Sequence, residues 1–549
     1  MTLLKIANGR IYDPVQGMDG TVGDLWIRDG VVCRPEPDAR ADRVIDAAGM
    51  IVMPGGIDIH CHIAGSKVNA ARKLQVPDES QVWPGHGDFR AGTQGLVPST
   101  FTTGYLYAGL GYTTAFDAAI PPLSARQVHD EFHDIPILDK GCFVMLGNND
   151  YLLRQLAQNE TELFRNSVAW LVNAVKAYGV KVVNPGGVQV WKQSGGNVRH
   201  LDDVVPEFGV TPRQIVSGMA QAVDDLQLPH PLHLHCTNLG MPGNASTTLE
   251  TMQALDGHRA HLAHVQFHSY GGDPDDQTTF HSRVPELVDF VMSQPGLSVD
   301  VGQVLFGPAI AMTGDSPLGY YLQKVLGAGW YSCDVELEAG CGIVPITYQR
   351  KSLVHALQWA IGLEWYLLMP DPWRIAMSTD HPNGASFLAY PQILALLMDA
   401  NRRQEALKSL PPEVRNRCTL GELTREYTLS EVAILTRAAP ARMLGLKQKG
   451  HLGPGADGDV TIYQPETDLQ RMFELPRYVI SAGQIIVDDA ELKRSAPGHT
   501  LYAVPEFDAE SGTRFERFID ENYSLRAVHY GVNLDELSHG VAVTGDLGD

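Results

Sequence analysis

Eight short apolar runs constrain this chain more than any other feature. They span 56–62, 113–118, 142–147, 180–184, 231–236, 260–266, 297–305 and 374–380, and several end on polar residues. Each is apolar throughout and not alternating, the pattern of strands buried on both faces. Segments of crossover length separate them, so the expected fold is α/β, a (β/α)8 barrel of the TIM type. The distance from first run to last exceeds a minimal barrel. Long insertions are therefore expected near 64–110, 185–210 and 306–350, where Gly and Pro are dense. In such a barrel, chemistry belongs at the carboxyl ends of the strands.

The two ends of the chain read differently. Runs 3–6 and 10–12 flank Asn8-Gly9, and runs 25–27 and 31–33 flank Asp29-Gly30; both pairs are hairpin signals. Runs 43–45 and 50–53 continue the pattern, but so small a segment cannot bury a core alone. The β-branched runs 459–463, 477–480 and 484–487 offer partners. The expected organisation is a β-sandwich domain from 1–53 and 450–495 around a barrel at 54–449. Residues 496–549 mix aromatic and acidic side chains without clear period, and read as a docking tail, one candidate partner being a neighbouring subunit.

Composition narrows the function classes. A net charge of −22 argues against nucleic acid and anionic membranes, both of which need a basic footprint. No apolar run reaches the ~18 residues of a membrane span, and no charged-then-apolar leader is seen. The seven cysteines are scattered with no C-x-x-C, which disfavours a disulfide framework or an iron–sulfur site. The expected compartment is the cytoplasm.

The polar residues at the strand ends carry the chemistry. His60-Cys61-His62 closes the first run, and residues two apart on a strand share a face. Both imidazoles then point one way, a metal pair in waiting, although a bare H-x-H is more often exposed or a hydrogen-bonded core pair. Lys181 lies inside the fourth run, where a charged amine is costly. Its bland reading is a stem packed along the wall with the amine reaching water. Its sharp reading is a desolvated amine carboxylated by carbon dioxide, giving an anionic oxygen ligand able to bridge two cations. The neighbours favour the sharp reading. His233 and His235 close the fifth run, His261, His264 and His268 follow the sixth, and Asp380-His381 closes the eighth. Imidazoles plus a carboxylate suit zinc first, with cobalt, nickel, manganese and iron also open.

These residues resemble the amidohydrolase pattern: H-x-H on strand one, a carboxylated lysine on strand four, histidines on strands five and six, an aspartate on strand eight. The run APARMLG from Ala439, leading to GPGADGD from Gly453, resembles the dihydropyrimidinase–hydantoinase branch. A narrower match lies on top. The strings HCHIAGSKVN from His60, KVVNPGG from Lys181, HLHCTNLGMPGN from His233, HVQFHSYGG from His264 and TDHPNG from Thr379 are similar to the A subunit of formylmethanofuran dehydrogenase. That family includes the homologous subunit of the bacterial formyltransferase/hydrolase complex.

The resemblance implies a binuclear centre of two divalent metal ions held by His60, His62, carboxylated Lys181, His235, His264 and Asp380. His233 and His235 share a strand face; His235 is preferred because its L-H-C-T-N string matches the V-H-x-E-N run of hydantoinases. Asp380 is the expected catalytic base and acid. Asn69, His233, His268, His381 and Asn383 are candidate substrate contacts, and Lys67 and Arg72 share the loop after strand one. His261 reads as a core residue or a support to a ligand, and Cys61 and Cys236 as small core residues. The implied substrate is a methanofuran-type one-carbon carrier, interconverted with the free amine and formate, mainly in the hydrolytic direction, beside other subunits of a formyltransferase/hydrolase or formylmethanofuran dehydrogenase complex. The alternatives are a hydantoinase-type cyclic amidase or N-acyl hydrolase, and a metal-less scaffold subunit.

Overall fold

The computed structural model describes residues 3–74, 96–335, 337–493 and 495–545. Eight parallel strands, β1 (Gly56–Cys61), β2 (Tyr112–Ile120), β3 (Asp139–Met145), β4 (Gly179–Val183), β5 (Leu232–His235), β6 (Ala260–Leu262), β7 (Leu297–Asp300) and β8 (Ile375–Ala376), lie in chain order in one sheet. The sheet closes on itself. The His62 amide donates to the His381 carbonyl at 2.8 Å, beside a parallel bridge between Cys61 and His381. All eight expected runs are therefore strands, and the barrel is the TIM type. β2 is buried at every position, as a strand flanked by helices outside and side chains inside must be.

Three strands stop four or five residues short of their apolar runs. β6 ends at Leu262, β7 at Asp300 and β8 at Ala376. Beyond two of these ends, His264 and Asp380 take left-handed backbone at φ +37° and +50°. Non-glycine residues rarely hold that conformation unless the surroundings enforce it. Leaving the ladder there turns both side chains over the barrel mouth.

Register sets the interior. Lys181 on β4 pairs with His233 on β5, and His233 pairs with His261 on β6, so all three share the inward face. Below them Phe143 lies 4.8 Å from the His233 ring and 5.7 Å from Phe116, forming an apolar floor. The expected 306–350 insertion is an antiparallel layer of Gly307–Thr313, Tyr331–Val335 and Glu338–Tyr348 with helix Ser316–Leu326. The 185–210 insertion carries helix Gly187–Ser194. Of the 64–110 insertion, helices Ser66–Leu74 and Thr100–Ala108 are described; residues 75–95 lie outside the described set.

The chain ends meet in one nine-stranded sheet, where Ile51–Pro54 pairs antiparallel with Val460–Tyr463. The Val32 amide donates to Ala456 and the Gly455 amide to Val32, each at 2.8 Å, so the sheet curls around a core including Leu4, Ile27, Val52 and Ile462. The domain expected from both ends is thus one continuous curled sheet. Asp29 and Gly30, at φ +48° and +87°, form the expected two-residue hairpin turn between Met18–Arg28 and Val31–Cys33. Asn8-Gly9 does not turn the chain. Leu3–Asp13 is a single strand, and Asn8 at φ +59° sits in a register shift against Met18–Arg28. Partners on both sides of the strand outweigh the local turn preference.

The tail is docked onto this chain's own barrel. Helix Ala509–Asn522 sets Phe515 against Trp170 and Tyr151, ring centroids 4.6 and 5.1 Å apart, and the Ala503 amide donates to Ala177 at 2.9 Å. Among the described residues no helix is long and apolar enough to cross a membrane.

Candidate metal centre and active site

His60, His62, Lys181, His235, His264 and Asp380 line one cavity at the carboxyl end of the barrel, and each is at least 95 % buried. Residues separated by as much as 320 positions (380 − 60) thus form one wall. Nε2 of His60 and Nε2 of His62 each lie 3.1 Å from Oδ1 of Asp380. The three residues form a group whose candidate ligand atoms fall within 4.8 Å of one another. Opposite, the His235 and His264 rings meet edge to face at 4.8 Å, and the His60 ring is 5.2 Å from that of His264.

Electrostatics match the geometry. Burial holds His235 and His264 below the usual imidazole pKa, leaving neutral rings with a bare lone pair. Burial lowers the Lys181 amine to about 8, with the Asp380 and Asp300 charges opposing the shift. For Asp380 and Asp300 burial works toward protonation, but the surrounding imidazoles outweigh it and hold both carboxyls well below the usual range. For His60, burial opposes the cation, whereas Asp300 and Asp380 more than offset it and raise the pKa.

The donor set fits divalent cations. Among the described residues Nε2 of His60, Nδ1 of His62, Nε2 of His235 and Nδ1 of His264 are buried polar atoms with no hydrogen-bond partner. Buried orphans cost stability unless something satisfies them. Buried imidazoles gathered beside the Asp380 carboxylate are a cation-binding arrangement.

The remaining candidates divide. Asn383 lines the cavity; its Nδ2 donates to Oδ1 of Asp380 at 3.0 Å, and its Oδ1 accepts from the Met312 amide at 2.6 Å. It braces Asp380 against the overlying layer. His233 points inward one tier below His235, under His60. His268 does not line the cavity; its ring is 5.3 Å from that of His264 and 5.4 Å from that of His235, and both its ring nitrogens are buried with no hydrogen-bond partner. Asn69 and His381 are engaged with other groups. The Asn69 side chain donates to Glu131 and accepts from Arg72, and the His381 Nδ1 accepts from the Phe387 amide at 3.2 Å. Neither lines the cavity, because each is consumed in joining loop to barrel. Lys67 is buried in an ion pair with Asp117 at 2.7 Å, and Asp117 lies 3.6 Å from Nδ1 of His62. Cys61 and Cys236 are buried and free, as expected of core residues.

One polar group central to the wall is absent from the sequence-based set. Asp300, at the end of β7, lies 2.9 Å from His60 Nδ1 and 3.1 Å from His261 Nε2, and accepts from the His264 amide at 3.1 Å and from the Ser378 hydroxyl at 2.5 Å. Its signal was a lone carboxylate inside the apolar run 297–305.

A closed parallel barrel with this wall defines an amidohydrolase, a class acting on non-peptide C–N bonds. The profile of the amidohydrolase family matches residues 43–487, and the chain belongs to that family. Within it, the chain is 40 % identical to the protein FwdA of Methanocaldococcus jannaschii, over 96 % of each chain. It is also 40 % identical to the A subunit of the formyltransferase/hydrolase complex Fhc of Methylorubrum extorquens, over 95 % of each. The crystal structure of the FhcABCD complex from Methylorubrum extorquens with methylofuran superposes at a TM-score of 0.92 and 38 % identity, covering 98 % of this chain and 100 % of that one.

Proposed function

We propose that this chain is the hydrolase subunit of a formyltransferase/hydrolase-type assembly, releasing formate from an N-formyl amine of the methanofuran class. One observation carries the reading: six side chains from or just beyond distant strand ends converge on a single buried wall, with unsatisfied ring nitrogens on His60, His235 and His264. Full-length similarity to the A subunit of Fhc, and to the chain solved in a complex with methylofuran, supports the substrate class and the assembly.

His60, His62 and Asp380 would hold one divalent cation, zinc first, and His235 and His264 a second, with Lys181, once carboxylated, as a further oxygen donor. When bound, such ions supply Lewis acidity to the formyl oxygen and to the attacking water. The chain's own residues do the rest. Asp380 Oδ1 takes the proton of the attacking water and delivers it to the departing amine nitrogen. That delivery is as important as the attack, since an amide expels its amine only when protonated. Asn383 holds Asp380 in place through the 3.0 Å hydrogen bond to the same oxygen. Asp300 fixes the His60 ring from behind. The layer over the cavity, including Met312, Leu322 and Tyr348, excludes bulk water from the reacting centre.

The purified protein with its native partners, incubated with formylmethanofuran or with dihydrouracil, tests the proposal. Formate release from the first, with none of the ring-opened product from the second, is expected. Turnover of dihydrouracil alone would favour a cyclic amidase, and failure to retain metal together with inactivity would favour a scaffold role.

A further inference from the structure

Beneath the wall, hydrogen bonds run to His60 through two histidines that the proposed chemistry does not use. His230 Nδ1 lies 2.9 Å from the carbonyl of Met443, and His230 Nε2 lies 3.0 Å from His233 Nδ1. His233 Nε2 in turn lies 3.2 Å from His60 Nδ1. All three rings are fully buried. From the side, Asp300 Oδ2 approaches His60 Nδ1 at 2.9 Å, and His261 Nε2 approaches the same oxygen at 3.1 Å while its Nδ1 faces the Ser298 hydroxyl.

Proton positions along this chain follow from its far end. A carbonyl only accepts, so His230 Nδ1 carries a proton. His230 stacks flat on Phe143 at 4.6 Å, and its ring nitrogens are spent on Met443 and His233, so no carboxylate compensates a buried cation there. The ring is therefore neutral and its Nε2 is an acceptor. His233 Nδ1 must then donate to it, which leaves His233 Nε2, in a ring equally buried, as a second acceptor. That acceptor and Asp300 both face His60 Nδ1, which must carry the proton shared between them. The nitrogen left free to offer a lone pair to a cation is then Nε2, which faces the cavity and lies 3.1 Å from Oδ1 of Asp380. The opposite direction would require a cationic His230 on an aromatic face. It would also leave Asp300 opposite a bare nitrogen of His60.

We infer that His230 and His233 are positioning residues forming a tautomer lock, by which the Met443 carbonyl, acting through two neutral imidazoles, fixes the His60 tautomer and presents Nε2 to a cation. The chain is not a proton wire, because it ends on a group with no proton to give. His233 thus has a structural duty that explains why β5 carries a second histidine at the tier below His235. The lock deepens the proposed function, since its consequence for metal binding rests on that reading, whereas the proton positions do not.

Neutron diffraction from a deuterium-exchanged crystal of the full chain reads the lock directly. Deuterium at Nδ1 of His230, His233 and His60, and none at Nε2 of His230 and His233, is expected. Deuterium at His233 Nε2, or none at His60 Nδ1, overturns the inference, whether or not the protein binds metal. Competition of the apo-protein with a chelator for zinc supplies the second test. His233→Leu is expected to weaken zinc binding by about 10–100-fold, the usual effect of losing a partner to a ligating imidazole. His233→Gln, whose amide can still accept from His60, should recover part of that loss. Wild-type zinc affinity in a folded His233→Leu overturns the inference.

Discussion

The wall and the roof of the cavity are built on opposite principles. The wall consists of buried polar groups on barrel strands and on the turns that leave them, and its imidazoles are backed by groups such as Asp300 and Asp117. The roof is an inserted layer whose cavity face is apolar, with Met312, Leu318, Leu322, Ile346 and Tyr348. At its lip Tyr321 and Val325 are exposed, whereas the wall is closed to solvent. A wall held by parallel strands can keep reacting groups in fixed geometry, and a roof made from an insertion can vary its shape without disturbing them. Under the proposed function the difference becomes a division of labour: catalysis below, substrate fit above.

Variants can break or sharpen that division. The largest effect is expected for Lys181→Ala, which should lose most of its bound zinc and its activity together. Added short carboxylic acids should restore part of both; metal analysis and formate assays, with and without propionate, check this. Asp380→Asn should lower kcat roughly a thousandfold, in the range expected for a lost proton shuttle, while circular dichroism and Tm stay near wild type. In the roof, Leu322→Ala should raise KM about tenfold with kcat little changed, the usual consequence of losing a few methylenes of contact. A fall in kcat for Leu322→Ala as deep as that for Asp380→Asn would erase the distinction between the two regions.

The smallest effect concerns Glu338, a buried carboxyl of the roof whose pKa burial pushes up to about 8, with the Leu123 amide donating to it at 3.0 Å. The native state therefore holds a proton there that the unfolded chain releases near its ordinary value of 4.5. Stability associated with this group is complete below that value and is lost as pH rises toward 8. Glu338→Gln, which needs no proton, should raise Tm by on the order of a few degrees at pH 8 and little at pH 5. Thermal melts at the two pH values check the sign. An equal shift at both would mean that the carboxyl does not titrate this way.

How much could be read in advance follows the same physics. Parallel strands buried on both faces are apolar from end to end, so all eight were visible as runs. A histidine, lysine or aspartate at the end of such a run stands out, which is why the six wall residues could be picked out together. Asp300 could not, because a single carboxylate inside 297–305 carries no periodic signal and its partners come from β1, β6 and the segment after β8. Asn8-Gly9 misled for a converse reason. Its local turn preference is real, but pairing on both sides of Leu3–Asp13 converts it into a bulge. Asn69 and His381 stand near the site in sequence, yet their hydrogen bonds lead to loops, and no spacing rule distinguishes the two cases.

Anomalous diffraction at the zinc edge, from crystals of the full chain grown with zinc and bicarbonate, tests the account most directly. Two peaks bounded by His60, His62, Lys181, His235, His264 and Asp380, with carboxylate density extending from Lys181 Nζ, are predicted. A cavity without peaks beside a bare lysine amine would contradict it.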